Sequence, residues 1–524
     1  MITEIDVVLS PKEASEECFY KPILASKLKV KPGRINGIKI LRKSIDARRR
    51  NIKVNLRFKI SIDEKMTASE GSDFVYENCE NSRKVIVIGA GPAGLFAALR
   101  LIELGFCPIV LERGKSVEDR KKDLGELHRS RQIDPESNYS FGEGGAGTFS
   151  DGKLYTRSKK RGNLKKILNV LHFHGAQDDI LFDAHPHIGT DVLPKVIVNI
   201  RKSIIKAGGE VYFSRKVVDY VLEGKNIVGV KLESGDTLMA SAVILATGHS
   251  ARDVYRKLDE SGIDIEAKSF AMGVRIEHPQ ELIDQIQYHN PNGRGKYLPA
   301  ASYSFVHQVN ERGVYSFCMC PGGVIVPAAT GKKQQVVNGM SSSNRNTAYA
   351  NSGMAVEIRT EDLEKYSEFG NLAGLKFQED LEEQSFIEGG EDLTAPAQRM
   401  VDFVENRKSD SLPKTSYHPG VVSSEMHKWL PDHIRYRLQE GFKAFGKKSN
   451  GYLTNQAIIL GVESRTSSPV RIPRDRESLQ HINIAGLFPC GEGAGYAGGI
   501  VSAAIDGEQC ANAVDRFLNL EEQN

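Results

Sequence analysis

Two hydrophobic patterns share this chain, and they fall in different places. Residues 85–88, 108–111 and 242–246 are apolar almost without a break, as expected of short strands buried on both faces of a parallel sheet. Residues 51–60 instead alternate apolar and polar side chains, and so do 271–277, 302–306 and 313–320. A period of two belongs to antiparallel strands with one face covered. Residues 5–9, 210–213, 216–222, 227–232 and 354–358 read as further strands. Helical periodicity occupies 93–104, 117–131, 163–173, 193–207, a region near 391–403, and the stretch from about 500 onward.

The first unbroken strand runs into Gly89, Gly91 and Gly94, spaced G-x-G-x-x-G, with Pro92 and Ala93 opening the following helix. In that context the first glycine makes a tight turn, the second lets backbone approach a pyrophosphate, and the third lets helix and strand pack closely. The helix N-terminus then offers free N–H groups and a positive dipole end to that phosphate. Glu112 ends the next strand 18 residues after Gly94, near the ~20-residue spacing of a carboxylate that meets an adenosine ribose, and Arg113 follows it. Strand, turn, helix, second strand and acid together predict a dinucleotide-binding unit.

Three later stretches extend this picture. Residues 140–154 carry five glycines with Thr148 and Ser150 between them, a second close-approach loop in which Gly145, Gly147, Thr148 and Ser150 are candidate contacts. Ala246-Thr247-Gly248 ends the third unbroken strand, after Val217 on a preceding one. Gly491-Glu492 and Gly499-Ile500 close the chain with a turn and a helix start.

The expected fold class is α/β: a Rossmann-like dinucleotide domain with an inserted mixed, mostly β substrate domain and a small N-terminal α+β module. Its expected divisions are 1–65 for the module, 66–83 for a polar linker, 84–250 and 454–524 for the two parts of the dinucleotide domain, and 251–453 for the insert. Insertion is inferred because the chain returns to glycine-rich turns after a long β-rich stretch.

Composition narrows the function classes. A chain of 524 residues, 40% hydrophobic and 26% charged, can bury a large core and suits two or three domains. A net charge of +3 gives no general argument for nucleic acid or anionic membrane. Seven cysteines without framework spacing suggest free thiols in a reducing cytoplasm. No signal peptide and no membrane-spanning helix are expected.

The combined motifs resemble flavoproteins of the glutathione-reductase-like two-dinucleotide superfamily. Residues 141–154, 317–323, 337–341 and 461–471, with the loop at Cys490, resemble more narrowly a largely uncharacterised bacterial group of FAD-dependent dehydrogenases. The resemblance implies bound FAD, with adenosine at Glu112 and pyrophosphate at residues 91–94. It places ribityl and phosphate contacts at Gly491-Glu492 and the isoalloxazine near 145–150 and 498–501. It also implies an oxidoreductase acting on an unidentified small molecule, with NAD(P)H as a transient reductant, although only one complete dinucleotide fingerprint is present.

Candidate chemistry beyond the cofactor is sparse. Cys490 abuts the proposed flavin loop, His249 follows the Ala-Thr-Gly turn, and Arg465 could position an anionic substrate or pair with Glu463 or another carboxylate. Cys318 and Cys320 stand C-x-C, for which a regular strand gives a Cα separation of ~6.6 Å, the far end of disulfide reach. His172, His174, His185 and His187 lack the Cys or carboxylate partners of a recognisable metal site, so no metal is expected. Arg48, Arg49 and Arg50 leave an RNA-modifying enzyme, or a non-catalytic flavin protein, as alternatives.

Overall fold

A computed structural model describes residues 1–66, 74–156 and 162–521. The expected linker at 66–83 falls partly on 67–73, outside the described residues.

The three unbroken apolar runs become adjacent strands of one parallel sheet. Its order is Leu487–Pro489, Val243–Leu245, Lys84–Ile88, Cys107–Leu111, Glu210–Tyr212. Successive side chains of the central strand go to opposite faces. Val85 and Val87 join a core with Leu95, Phe96 and Leu99 of helix Pro92–Glu103 and Val501, Ile505 and Val514 of helix Ile500–Glu521. Ile86 and Ile88 meet a three-stranded antiparallel sheet, Val217–Glu223, Asn226–Leu232 and Thr237–Met239, and helix Arg252–Glu260. Burial of side chains of this size contributes roughly 1.5–3 kcal/mol each, which explains why the strand has no polar face.

The insert is built on a seven-stranded sheet. Its order is Val306–Val309, Arg312–Cys320, Tyr349–Ile358, Phe270–Pro279, Ile458–Glu463, Ala395–Arg399, Val421–Ser423, antiparallel except at the last pair. Helix Asp432–Lys448 covers one face through Leu438, Phe442 and Phe445. Two expectations are corrected here. The region 391–403 is a strand, Ala395–Arg399, followed by the short helix Met400–Val404. Ala395 and Ala397 are fully buried beside Leu460, so sheet pairing overrides the helical spacing of Leu393, Met400 and Phe403. The boundary expected at 454 also moves: strand Ile458–Glu463 is central in the insert's sheet. The chain crosses back only near Val470–Arg471, which pairs with Glu266–Ala267 on the way out.

The N-terminal module is α+β. Strand Lys53–Ile62 lies between Ile2–Leu9 and Ile35–Asp46, and helix Tyr20–Leu28 covers the face carrying Leu56 and Phe58. The basic stretch 38–50 is therefore mostly strand, with Arg48–Arg50 at the hairpin turn. The hairpin touches both larger units. Lys43 exchanges backbone hydrogen bonds with Phe182 and Ala184, at 2.8 and 2.9 Å, while Ile52 and Ala47 pack into the insert's core. Among the described residues, no helix is long and apolar enough to cross a membrane.

Candidate functional site

The site begins where strand Lys84–Ile88 stops. Gly89 turns with φ 102°, and its N–H donates to the Leu111 carbonyl at 2.8 Å. A Cβ at Gly89 would press on the Ala246 carbonyl, and one at Gly94 would overlap the Gly89 carbonyl oxygen. Packing therefore requires both glycines. Gly91 is different: a Cβ there would meet no protein atom within 4 Å. It caps a helix that has Pro92 at its first turn and no side-chain cap, so the N–H groups at Ala93 and Gly94 face outward beside bare backbone.

The second glycine loop lies directly on the first. Gly144 donates to the Ala90 carbonyl at 2.8 Å, and Gly144 and Gly145 hold left-handed φ values of 78° and 60°. A Cβ at Gly145 would sit 3.3 Å from Gly91 Cα, and one at Gly147 would sit 3.2 Å from Ile500 Cγ1. The Thr148 hydroxyl donates to the Glu143 carbonyl and the Ser150 hydroxyl to the Gly147 carbonyl, at 2.8 and 2.7 Å, so both brace the loop itself.

A residue that the sequence did not single out shapes this loop. Arg120 is fully buried and donates to the carbonyls of Asn138, Glu143 and Gly145 at 2.8 to 2.9 Å, with a longer bond of 3.4 Å to Gly142. Burial pushes its guanidinium down to about 10, and its Nη2 has no hydrogen-bond partner among the described residues. It stands in a helix rich in charge, Val117–Ser130, and no spacing marks it out.

Glu112 is 5% exposed and accepts three backbone N–H groups: Ala90 on Oε2 at 2.8 Å, and Gly114 and Gly142 on Oε1 at 2.9 and 3.0 Å. A carboxylate has about four acceptor positions, so one remains on Oε2. Arg113 grips Glu136 and Asp253 and lies 4.2 Å over the Phe141 ring.

The third and fourth segments complete the ring. Ala246 donates to the Ile88 carbonyl and Cys490 to the Leu245 carbonyl, both at 2.9 Å, so the turns after these strands lie side by side. A Cβ at Gly491 would press on Ala93 and one at Gly493 on Gly248, whereas Gly248, Gly498 and Gly499 face open space. His249 Nδ1 stands 3.5 Å from Glu492 Oε1 and makes no hydrogen bond among the described residues. Burial, then Arg465, Arg252 and Lys268, push this imidazole down to about 3; burial pushes Glu492 up to about 7 against the pull of Lys268. The dyad therefore favours a neutral imidazole beside a carboxyl that keeps its proton to higher pH than an ordinary glutamate.

The remaining candidates are placed as follows. Arg465 pairs with Glu382 at 3.3 Å and donates to Thr330 and Gln334. Glu463 belongs instead to Arg275, at 2.9 Å. Against the burial that would raise it, Arg252 and Arg465 hold Glu382 down to about 2. The Cys490 thiol is fully buried beneath the loop, with Cys510 and Asp506, and Arg474 donates to both of those partners. Val217 is half-buried and pairs with Leu232, at the rim of the core under the sheet. His172 is bonded to Asp178, His174 to Val170 and Ser203, and His187 to the Ser343 carbonyl.

The chain is similar over this whole arrangement to known sequences. Residues 269–466 match the family described as "FAD-dependent protein, C-terminal domain-like", and residues 1–61 match a domain of unknown function, DUF8436. A protein of Clostridium beijerinckii, described as "Uncharacterized protein", is 40% identical over 515 residues, covering 94% of this chain and 95% of that one. The chain belongs to a family of FAD-dependent proteins. Solved structures that align with it include a geranylgeranyl bacteriochlorophyll reductase-like protein from Thermoplasma acidophilum, at 12% identity and TM-score 0.35, covering 84% of this chain and 80% of that one. Another is 2,6-dihydroxypyridine-3-hydroxylase from Arthrobacter nicotinovorans, at 11% identity and TM-score 0.36, covering 84% and 86%. The family's cofactor fits the donor set: the backbone at Gly91 is bare, the helix N-terminus after it is uncapped, and His249 Nδ1 makes no hydrogen bond among the described residues.

Proposed function

We propose that the protein is a dehydrogenase-like, FAD-dependent oxidoreductase that passes hydride or electrons to or from a small molecule. The observation that carries this reading is the convergence of four glycine segments in which a Cβ at Gly91, Gly248, Gly498 or Gly499 would meet no protein atom within 4 Å. Gly89 and Gly94 fix the turn, and the amides at Pro92-Ala93-Gly94 receive the pyrophosphate, Pro92 contributing its fixed φ rather than a donor. The free acceptor position of Glu112 takes a ribose hydroxyl, with Arg113 fixing the adjoining Phe141. Gly145, Gly147, Thr148 and Ser150 would hold the flavin ring, Gly491, Glu492, Gly499 and Ile500 the ribityl and phosphate groups, and Ala246, Thr247, Gly248 and Val217 would complete the set of contacts. Bound FAD supplies the hydride and electron chemistry. The chain's own contribution is to orient the group, exclude water, and hold a proton at Glu492 beside His249. NAD(P)H is the proposed transient reductant.

Purified, unheated protein should show flavin absorbance that bleaches on anaerobic addition of NAD(P)H or a substrate. Protein that neither carries nor takes up FAD would refute the reading. A second reading has one observation of its own. Arg48, Arg49 and Arg50 line a cleft of about 550 Å³ with His289, Asn290 and Asn450, and among the described residues no carboxylate lines it, although Asp46 holds Arg48 at 2.6 Å. That cleft supports a flavin-dependent RNA-modifying enzyme. RNA binding that weakens steeply with salt and is lost on neutralising the three arginines is the result it requires.

A further inference from the structure

Strand Arg312–Cys320 slips at its end. It pairs regularly with Tyr349–Ile358 as far as Phe317 opposite Gly353, and the next pair is Cys320 opposite Asn351. Three steps on one strand meet two on the other, so a bulge lies at Cys318 and Met319, and Cys318 takes a left-handed φ of 44°. Bulges re-aim side chains, and non-glycine residues held in this region cost about 1–3 kcal/mol. Here the Cys320 thiol is turned back to donate to the Cys318 carbonyl at 3.2 Å. The spacing of two cysteines on a regular strand therefore does not apply to this pair.

The pair faces charges of both signs: Arg275 and Lys153, each paired with a carboxylate, Glu463 and Asp151 respectively, and Arg345 beside Asp151. Arg275 donates from Nη2 to the Cys318 carbonyl at 2.8 Å and to Cys320 Sγ at 3.6 Å. Lys153 Nζ lies 4.0 Å from Cys320 Sγ. Lys153 comes from the far end of the glycine loop 140–154 and is paired with Asp151 at 3.2 Å. The two thiols are unlike. Cys318 is solvent-accessible, although densely surrounded by protein, and Cys320 is 1% exposed. Burial raises both thiols, Cys318 to about 12, and Lys153 is the largest charge opposing it at each.

We propose that Cys318 and Cys320 are a dithiol–disulfide pair that exchanges with a low-molecular-weight disulfide, Cys318 entering first and Cys320 resolving. The chemistry balances without the cofactor, so the proposal stands apart from the flavin reading. Cys318 gives up its proton and attacks one sulfur of the disulfide, forming a mixed disulfide and releasing one thiolate, which takes that proton. Cys320, deprotonated beside Lys153, then attacks Cys318 Sγ and expels the second thiolate. Two protein thiols lose two electrons and two protons, one S–S bond forms, and the external disulfide becomes two thiols.

The test uses full-length protein carrying Cys18→Ser, because Cys18 is exposed and would react on its own. Reduced protein is treated with oxidised glutathione without oxygen, and its peptides are weighed. The expected product is a peptide linked internally between Cys318 and Cys320, with two reduced glutathiones released per chain. Cys320→Ser should stop at one glutathione on Cys318, and Cys318→Ser should leave Cys320 unmodified. Lys153→Met should slow the reaction about threefold for each unit by which the thiol is raised, the net of less thiolate and greater nucleophilicity. The internal link is read in protein changed only at the exposed Cys18, so it requires no buried variant to fold. No internal link, or equal reaction of Cys318→Ser and Cys320→Ser, would overturn the proposal.

Discussion

Gly91 and Gly94 stand three residues apart and should fail in opposite ways when changed to alanine. At Gly94 the new methyl carbon would overlap the Gly89 carbonyl oxygen and lie 3.2 Å from Val87 Cγ1. The obstacle is backbone, which must retreat by about 1 Å or more to restore contact distance. Overpacking of this kind costs about 1–3 kcal/mol, and a backbone clash under the central strand belongs at the upper end. At Gly91 the methyl group meets no protein atom within 4 Å, and φ of −75° suits alanine. Its intrinsic cost is that of alanine at a helix N-cap, about 1 kcal/mol or less. The same methyl group points where a pyrophosphate would approach, so FAD affinity should fall at least tenfold, about 1.4 kcal/mol. Denaturant unfolding of the flavin-free proteins measures the first effect, and FAD titration followed by absorbance measures the second. Gly91→Ala that binds FAD like wild type, or that loses as much stability as Gly94→Ala, would refute the reasoning.

Two pH-linked outcomes also follow from the site. Glu382 is depressed from 4.5 to about 2, so its contribution is present above pH 4.5 and lost as pH falls toward 2; Glu382→Gln should lose about 3 kcal/mol at neutral pH and show less acid sensitivity in that window, measured by urea unfolding at several pH values. Glu492 is raised from 4.5 to about 7, so the folded protein holds the extra proton and stability falls as pH rises through that range; Glu492→Gln should flatten this slope in flavin-free protein, and an unchanged slope would assign it to another group. The buried Arg275–Glu463 pair should behave as one unit: Glu463→Gln alone should cost about 3–5 kcal/mol, and Arg275→Met with Glu463→Leu less than the two single changes summed, as a double-mutant cycle would read.

The parallel sheet was legible because its strands are buried on both faces and leave an unbroken apolar record at 85–88, 108–111 and 242–246. The glycine motifs were legible because turn, close approach and helix start each demand glycine at a fixed offset. What escaped the sequence is long-range. Ile458–Glu463 is buried on both faces of an antiparallel sheet, and its apolar run carries no sign of which sheet it joins. Ala395–Arg399 took its strand from a partner sixty residues away. Arg120 reads as one more charge on a charged helix, and only the fold reveals that its guanidinium holds three loop carbonyls. Of the carboxylates open to Arg465, the one it meets is the distant Glu382 rather than its near neighbour Glu463, which Arg275 takes.

The parallel sheet is assembled from both ends of the chain, since Leu487–Pro489 forms its edge beside Val243–Leu245 and helix Ile500–Glu521 packs on helix Pro92–Glu103. During synthesis this has a temporal consequence. At ~5–20 residues per second, about 20–80 s separate the making of the first glycine turn from the making of its last neighbours. Throughout that interval the helix after Gly91 lacks its packing partner, and its apolar face with Leu95 and Leu99 is open to chaperones and to misassociation. The glycine segments around Gly91 can meet only after residues 487–521 have been made, so a chain truncated before Leu487 is expected not to hold flavin.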